Sequence, residues 1–199
     1  MYNKDNLYSL KIKSIVTGNK NENEICGFGI RQSIKIIGIY NPKTGYKLFY
    51  DSNEDSLLKA FWDYINDPSR RIDTLVGWSS KVYDFPMLYQ RTLINKVAIS
   101  NMKFPLISEL QNYKNDNLLD ASILWKCGGS KCDALIDVAN ALGYFKDKKE
   151  VNDFKTMADN YQPFYPMYLA EISNKKEGKA VKFIKDQLKF IWDITDLLV

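Results

Sequence analysis

Carboxylates are the side chains with which this sequence could build hydrolytic chemistry, because its 199 residues include no histidine. That absence excludes Ser-His and Cys-His catalysis and any His-assisted general base. Hydrolysis would have to come from carboxylates and a metal ion, or from Lys or Tyr. Among the acids, Asp84 has the most informative surroundings, since it follows the apolar segment Thr74 to Gly77 and stands just before Phe85 and Pro86.

Two neighbouring elements are expected to position Asp84. Thr74 to Gly77 predicts the buried end of a strand, and Pro86 suits the first turn of a helix, where its missing N–H costs nothing. An acid between these elements would lie at a strand end and near a helix N-terminus. In proteins built from sheets and helices, functional sites are commonly placed there.

The residues around Asp84 form a motif, which reads Gly77-Trp78-Ser79, then Tyr83-Asp84-Phe85-Pro86 and Leu88. It resembles the second motif of the DEDD (DnaQ-like) 3′–5′ exonucleases, ribonuclease-H-like enzymes that include the proofreading domains of B-family DNA polymerases. In that family an Asn stands where this sequence has Ser79. The resemblance implies that Asp84 is a catalytic, metal-binding acid and that Ser79 and Tyr83 contact substrate. A strand-to-helix connection in some other α/β domain is the alternative interpretation.

In the same family two further acids lie on the first strand, in the pattern Asp-Ile-Glu-Thr. The best alignment places Ser14-Ile15-Val16-Thr17-Gly18 there, so that Ser14 replaces the Asp and Val16 replaces the Glu. Two-metal hydrolysis needs several carboxylates around two divalent ions, and Mg²⁺ is held poorly by one acid. The resemblance therefore implies a degenerate first motif. Glu22 and Glu24, in the following loop, are the alternative acids.

The family's last motif is a Tyr four residues before an Asp on a C-terminal helix, and the apolar spacing here predicts such a helix from about Lys179 to Leu198. Asp186 fits the Asp best, with Lys182 at the Tyr position as a candidate substrate contact. Asp193, with Lys189 four residues before it, is the competing register. Neither register keeps the Tyr. Asp84 and Asp186 are thus the residual family acids, expected to hold Mg²⁺ or Mn²⁺ weakly or not at all.

The remaining patterns predict one α/β domain over residues 1–199. The resemblance implies a ribonuclease-H-like mixed sheet, with an antiparallel three-strand meander plus parallel strands, flanked by helices. The elements predicted from periodicity and turn residues are strands at Leu7–Thr17, Ile34–Tyr40, Tyr46–Tyr50 and Ile72–Gly77, a helix that begins after Ser52 or Asn53, and a helix that runs to about Asn95. The apolar stripe of the first helix is predicted to be core.

Three features of the second half complete these predictions. Asp120 follows Leu118-Leu119, and this resembles the Leu-Asp that the polymerase-B-related exonucleases carry before a helix. Asp120 is therefore an alternative acid, but its favoured interpretation is a helix cap. A helix is predicted from Cys132 to a stop at Gly143. The segment Tyr161 to Pro166 is interpreted as an aromatic, proline-bounded connection that packs as a lid, with stacking on unpaired bases as the alternative.

Composition narrows the class of protein further. Hydrophobic content of 45% and charged content of 26% are ordinary for a globular protein. No apolar run is long enough to cross a membrane, and residues 1–5 do not resemble a signal peptide, so a cytoplasmic location is expected. Three cysteines without histidine make a poor zinc set, and reduced thiols are expected. A net charge of +4 permits nucleic-acid binding without demonstrating it.

Three functions remain open on the sequence alone. The first is a degenerate exonuclease-fold protein, a pseudo-nuclease, that binds single-stranded nucleic acid or a protein partner in a replication, repair or defence assembly and needs no cofactor. The second is an active Mg²⁺- or Mn²⁺-dependent 3′–5′ exonuclease that recruits Glu22 or Glu24. The third is a domain that interacts only with other proteins. Fold resemblance does not choose among them.

Overall fold

The computed structural model describes residues 2–16, 32–99, 117–127, 129, 131–159, 161–174 and 177–199. Glu22, Glu24, Cys26 and residues 101–116 lie outside the described residues. Within the described ranges, no helix is both long and apolar enough to cross a membrane.

A five-stranded mixed sheet forms the centre of the molecule, with strand order β3-β2-β1-β4-β5. The strands are β1 (Leu7–Val16), β2 (Gln32–Asn41), β3 (Gly45–Tyr50), β4 (Thr74–Gly77) and β5 (Leu118–Asp120). The first three pair antiparallel, while β4 pairs parallel with β1 and with β5. The meander and the α/β class predicted from the sequence are therefore confirmed.

Seven α-helices accompany this sheet in the described part of the chain. They are α1 (Glu54–Asn66), α2 (Asp84–Ile94), α3 (Ala121–Trp125), α4 (Leu135–Ala141), α5 (Lys148–Asp159), α6 (Tyr161–Ser173) and α7 (Lys179–Leu198). Gly143 ends the segment after α4 with φ of +80°, as a glycine C-terminal stop does.

The two faces of the sheet carry separate apolar clusters. On one face, side chains of α1 and α2 pack on Leu10, Ile12 and Ile37. On the other, α7 packs with α4, α5 and α6 against Leu7, Ile36 and Val76. The approach of α7 is close, because a Cβ at Gly38 on β2 would meet Leu188 Cδ1 at 2.8 Å. The stripe Leu57, Leu58, Phe61, Trp62 and Ile65 is at most 2% exposed, which confirms its prediction as core.

The prediction that Tyr161 to Pro166 is a connection was wrong, because these residues form the first part of α6. Pro163 lies in the first turn of the helix, where its missing N–H leaves no hydrogen bond unmade. Pro166 lies deeper, and helical structure there is supported by packing of the following residues, since Tyr168 and Ile172 are buried in the cluster under α7. The sequence signal of two prolines was overridden by tertiary packing.

A buried ion pair links α1, α2 and β2. Arg91 of α2 donates from Nε to Glu54 Oε1 at 2.9 Å and from an η nitrogen to Glu54 Oε2 at 2.5 Å. The same Glu54 accepts from the backbone N–H of Ile34. Burial by itself would raise the pKa of Glu54, but the hydrogen bonds from Arg91 and Ile34 hold it below its ordinary value. Glu54 therefore anchors α1 to both neighbours, beyond the helix-dipole role expected for a first-turn acid.

Candidate functional site

The turn after β4 is shaped by close backbone packing. A Cβ at Gly77 would lie 2.4 Å from Ser80 Cβ, so only glycine fits. Ser79 follows with φ of +53°, in the left-handed region that Asn tolerates better than Ser. Asn, the residue at this position in the resembling motif, would adopt this conformation at lower cost than Ser. The turn then leads to Asp84, the first residue of α2, whose side chain is 5% exposed.

Asp120 fixes this turn from the neighbouring strand. Its carboxylate accepts from the backbone N–H groups of Ser79 at 2.9 Å and Lys81 at 3.0 Å. It also accepts from the N–H of Ser122 at 3.0 Å, which caps α3. The interpretation of Asp120 as a cap thus agrees with its contacts, and the carboxylate has a second role in holding the loop that carries Asp84.

The carboxylate of Asp84 is paired with an ammonium group. Lys11 Nζ on β1 lies 2.9 Å from Asp84 Oδ2, with side-chain exposures of 18% and 5%. Parallel pairing of β1 and β4 brings Ser9 beside Val76, so Lys11 lies level with the residues that follow β4. The sheet register therefore delivers a lysine to the acid that the sequence singled out.

A second lysine, Lys13, lies near Lys11 and Asp84. Lys13 is two residues from Lys11, so both side chains project from the same face of β1. Lys13 Nζ lies 4.8 Å from the centre of the Phe183 ring on α7. Burial, and next the positive charge of Lys11, lower the pKa of Lys13 to about 7, while Asp84 acts in the opposite direction. One strand thus presents two lysine side chains beside one buried aspartate.

Ser14 and Val16 are the predicted positions of the first motif, and the Ser14 side chain bonds elsewhere. Ser14 Oγ donates to Gln32 Oε1 on β2 at 2.6 Å. The β1–β2 register shifts between Lys13 and Ser14, so a bulge separates Ser14 from the run that contains both lysines. Val16 ends β1, opposite Gln32. Among the contacts described, Lys11 rather than Ser14 is brought to Asp84.

Neither candidate aspartate of α7, Asp186 or Asp193, is described in contact with Asp84. Asp186 pairs with Lys182 at 2.5 Å, one turn away on the same helix. Both line a cavity of about 590 Å³ between α5, α6 and α7, whose aromatic lining includes Phe154, Phe183 and Phe190. The predicted substrate contact Lys182 is thus engaged by an acid of its own helix.

Asp193, the competing register, lies further along α7 and pairs with Lys189. Burial, and next the charge and hydrogen bonding of Asp193, raise the pKa of Tyr144 to about 12. Tyr83, predicted to contact substrate, is 49% exposed beside Asp84. These positions bring Tyr83 to the site and leave Asp186 and Asp193 in ion pairs on the helix surface.

The residues around Asp84 do not fit a pair of divalent cations. Hard cations such as Mg²⁺ take oxygen ligands, and several carboxylates must converge to hold two of them. Here the described neighbours of Asp84 include two lysines and no second carboxylate, and the ammonium group of Lys11 repels a cation. No cluster of three or more Asp, Glu or Cys suited to a metal ion occurs within the described ranges.

Lys11 and Lys13 were missed by the sequence interpretation, although a signal for them exists. Residues 7–16 read Leu-Tyr-Ser-Leu-Lys-Ile-Lys-Ser-Ile-Val, in which two lysines alternate with apolar residues in a strand that is otherwise mostly buried. Lysine on an inward position of a central strand is uncommon and marks a special environment. The predicted site on β1 consisted of Ser14 and Val16 and did not include these lysines.

Comparison with known proteins identifies what this architecture is similar to. Residues 31–121 match a family described as a predicted 3′–5′ exonuclease related to the exonuclease domain of PolB. This segment is just under half of the chain and includes Asp84 and Asp120, but it leaves out Lys11, Lys13 and α7. No curated protein matches the chain.

The fold is also similar to a solved structure, the family B DNA polymerase from the hyperthermophilic archaeon Pyrobaculum calidifontis. The superposition has a TM-score of 0.57 with 14% sequence identity, and it covers 96% of this chain. The chain spans 24% of the length of that polymerase. The similarity therefore concerns the fold, which the sequence motifs had indicated.

Proposed function

We propose that this chain, an exonuclease-like domain of the ribonuclease-H-like superfamily related to the exonuclease domain of PolB, is a pseudo-nuclease that binds single-stranded nucleic acid without cleaving it. The observation that carries this proposal is the ion pair between Lys11 and the buried Asp84. An ammonium group neutralises the acid that would otherwise face a metal ion.

Exchange of the Lys11 ammonium group for a hydrated divalent ion at Asp84 is unfavourable. The exchange would leave Lys11, whose side chain is only 18% exposed, without its charge partner. Lys13, whose pKa is lowered to about 7 by burial and by the charge of Lys11, lies next to the pair and supplies no carboxylate for a metal ion. The described side chains around Asp84 do not provide the several carboxylates that two-metal hydrolysis requires. The similarity of the fold to an exonuclease-containing polymerase supports binding of a strand beside Asp84.

Nuclease assays test the proposal. Labelled single-stranded DNA and RNA are incubated with the protein and Mg²⁺ or Mn²⁺, next to Asp84→Asn and, as a matched control, Asp63→Asn, which changes a surface acid paired with Lys59. We expect no metal-dependent digestion by any of the three proteins. Digestion by the unmodified chain that Asp84→Asn abolishes and Asp63→Asn preserves would overturn the proposal.

The same assay addresses the active-exonuclease alternative. If digestion occurs, Glu22→Gln and Glu24→Gln identify whether either glutamate supplies the missing acid. A binding titration with single-stranded oligonucleotides addresses the remaining alternative, a domain that interacts only with proteins. Failure of the unmodified chain to bind any oligonucleotide would favour that alternative.

A further inference from the structure

We infer that the first motif of this chain is Lys11-Ile12-Lys13-Ser14, three residues before the register favoured by the sequence, and that its two lysines bind a phosphodiester of a single strand without a metal ion. This inference rests on the proposed function and names the groups through which a strand is held. In this register, Lys11 and Lys13 stand at the positions of the two family acids.

The register follows from contacts and spacing together. The family pattern Asp-Ile-Glu-Thr has its acids two residues apart, on one face of a strand, with an Ile on the opposite face. Lys11-Ile12-Lys13-Ser14 keeps that Ile, which is buried at 5% exposure on the α1 and α2 side, and keeps a hydroxyl residue in last place. Its first lysine lies 2.9 Å from Asp84. Ser14, by contrast, bonds to Gln32 beyond the bulge.

The last helix supplies an independent match to this register. Phe183, whose ring lies under Lys13 Nζ at 4.8 Å, is four residues before Gln187. A Tyr four residues before an Asp is the spacing of the family's last motif, so Phe183 would replace the Tyr and Gln187 the Asp. Gln187 is 7% exposed, and its Oε1 has no hydrogen-bond partner in the described part of the chain. A buried amide oxygen without a partner is costly unless a donor such as water satisfies it, and a phosphodiester cannot do so because it offers acceptors only.

The chemistry of the ligand follows from the side chains that remain. In two-metal enzymes the cations bring positive charge to the phosphate oxygens. Lys11, which is paired with Asp84, and Lys13, whose pKa is lowered to about 7, lie on the same strand face. A phosphate bound beside Lys13 would favour the charged form of that lysine. Each ammonium has three N–H donors, which suits non-bridging phosphate oxygens. A phosphodiester is therefore the ligand class that fits both the charge and the donors.

Binding of a fluorescently labelled single-stranded DNA oligonucleotide, followed by anisotropy in the presence of EDTA, tests the phosphate site. We expect binding without a metal ion and a loss of at least tenfold in affinity for Lys13→Met, with partial recovery in Lys13→Arg. The matched control is Lys59→Met, which removes a surface lysine and should leave affinity unchanged. Thermal unfolding of each variant checks that the chain is folded.

A second measurement tests the register itself. Restoring acids as Lys11→Asp with Lys13→Glu should create Mn²⁺ binding, detected by calorimetry, whereas Ser14→Asp with Val16→Glu should not. Metal binding by the second pair alone, or unchanged oligonucleotide affinity in Lys13→Met, would overturn the inference. Failure of the unmodified chain to bind any oligonucleotide would overturn the proposed function, and the inference with it. Hydrolysis by the unmodified chain is a separate outcome that overturns the proposed function.

Discussion

Ser79 is a residue whose backbone conformation conflicts with its side-chain type. Its φ of +53° lies in the left-handed region, which costs an ordinary residue about 1 kcal/mol and costs Asn or Gly less. The conformation is maintained because the N–H of Ser79 donates to Asp120 and because the turn packs tightly at Gly77. The position is thus constrained by the loop that carries Asp84.

Ser79→Asn is predicted to stabilise the protein by about 0.5 to 1 kcal/mol, since Asn tolerates the left-handed region. Chemical denaturation of the variant and of the exposed control Ser52→Asn measures the difference. An equal or lower free energy of unfolding for Ser79→Asn, relative to the unmodified chain, would contradict the prediction.

Lys13 is expected to make the free energy of unfolding depend on pH near and above neutrality. Its folded pKa of about 7 lies below the ordinary value for lysine, because of burial and of Lys11 on the same strand, despite Asp84 on α2. At pH values between these two pKa values the unfolded chain binds a proton that the folded chain does not, so stability rises with pH. The cost is fully present below about pH 7 and is relieved as the pH increases.

Lys13→Met is therefore predicted to gain stability relative to the unmodified chain at neutral pH, and to lose that advantage by about pH 10. Free energies of unfolding by denaturant at several pH values, taken as the difference between the two proteins, isolate Lys13 from the other lysines and tyrosines. Parallel curves over this range would show that Lys13 has an ordinary pKa in the folded protein.

At the scale of elements, the largely buried ion pair between Glu54 and Arg91 joins α1 to α2 and β2. Their side chains are 7% and 11% exposed. Removing one partner of a buried pair leaves the other charge without compensation, at a cost of about 3 to 5 kcal/mol. The pair is therefore more sensitive to substitution than the surface pairs of α1 and α7.

Arg91→Met is predicted to lower the free energy of unfolding by about 3 kcal/mol. Lys59→Met, which breaks the exposed pair with Asp63 on α1, should change it by less than about 0.5 kcal/mol. Denaturant unfolding of both variants checks the contrast. Similar losses for the two would mean that the Arg91 pair contributes no more than a surface pair.

For the whole molecule, binding of a single strand should be electrostatic and therefore dependent on salt. The net charge of +4 is modest, so affinity is expected to come from a few local phosphate contacts rather than from a general attraction. Neutralising Z phosphates of a single strand gives a slope of about −0.7Z in a plot of log affinity against log salt concentration.

A slope corresponding to a few phosphates is predicted for the unmodified chain, with a reduction of about one phosphate in Lys13→Met. Titrations of one oligonucleotide at several salt concentrations measure both slopes, and Lys59→Met again serves as the control. Binding that does not change with salt would exclude phosphate contacts as its source.

Periodicity and turn residues were sufficient to predict the meander, α1, α2, α7 and the strand-to-helix setting of Asp84, because these depend on local spacing of apolar residues and on Gly and Pro. The helical state of Tyr161 to Pro166 could not be read in this way, since packing of later residues outweighs two prolines. The pairing of Lys11 with Asp84 was equally inaccessible. It depends on the parallel register of β1 and β4, which brings together Lys11 and Asp84, two residues 73 positions apart.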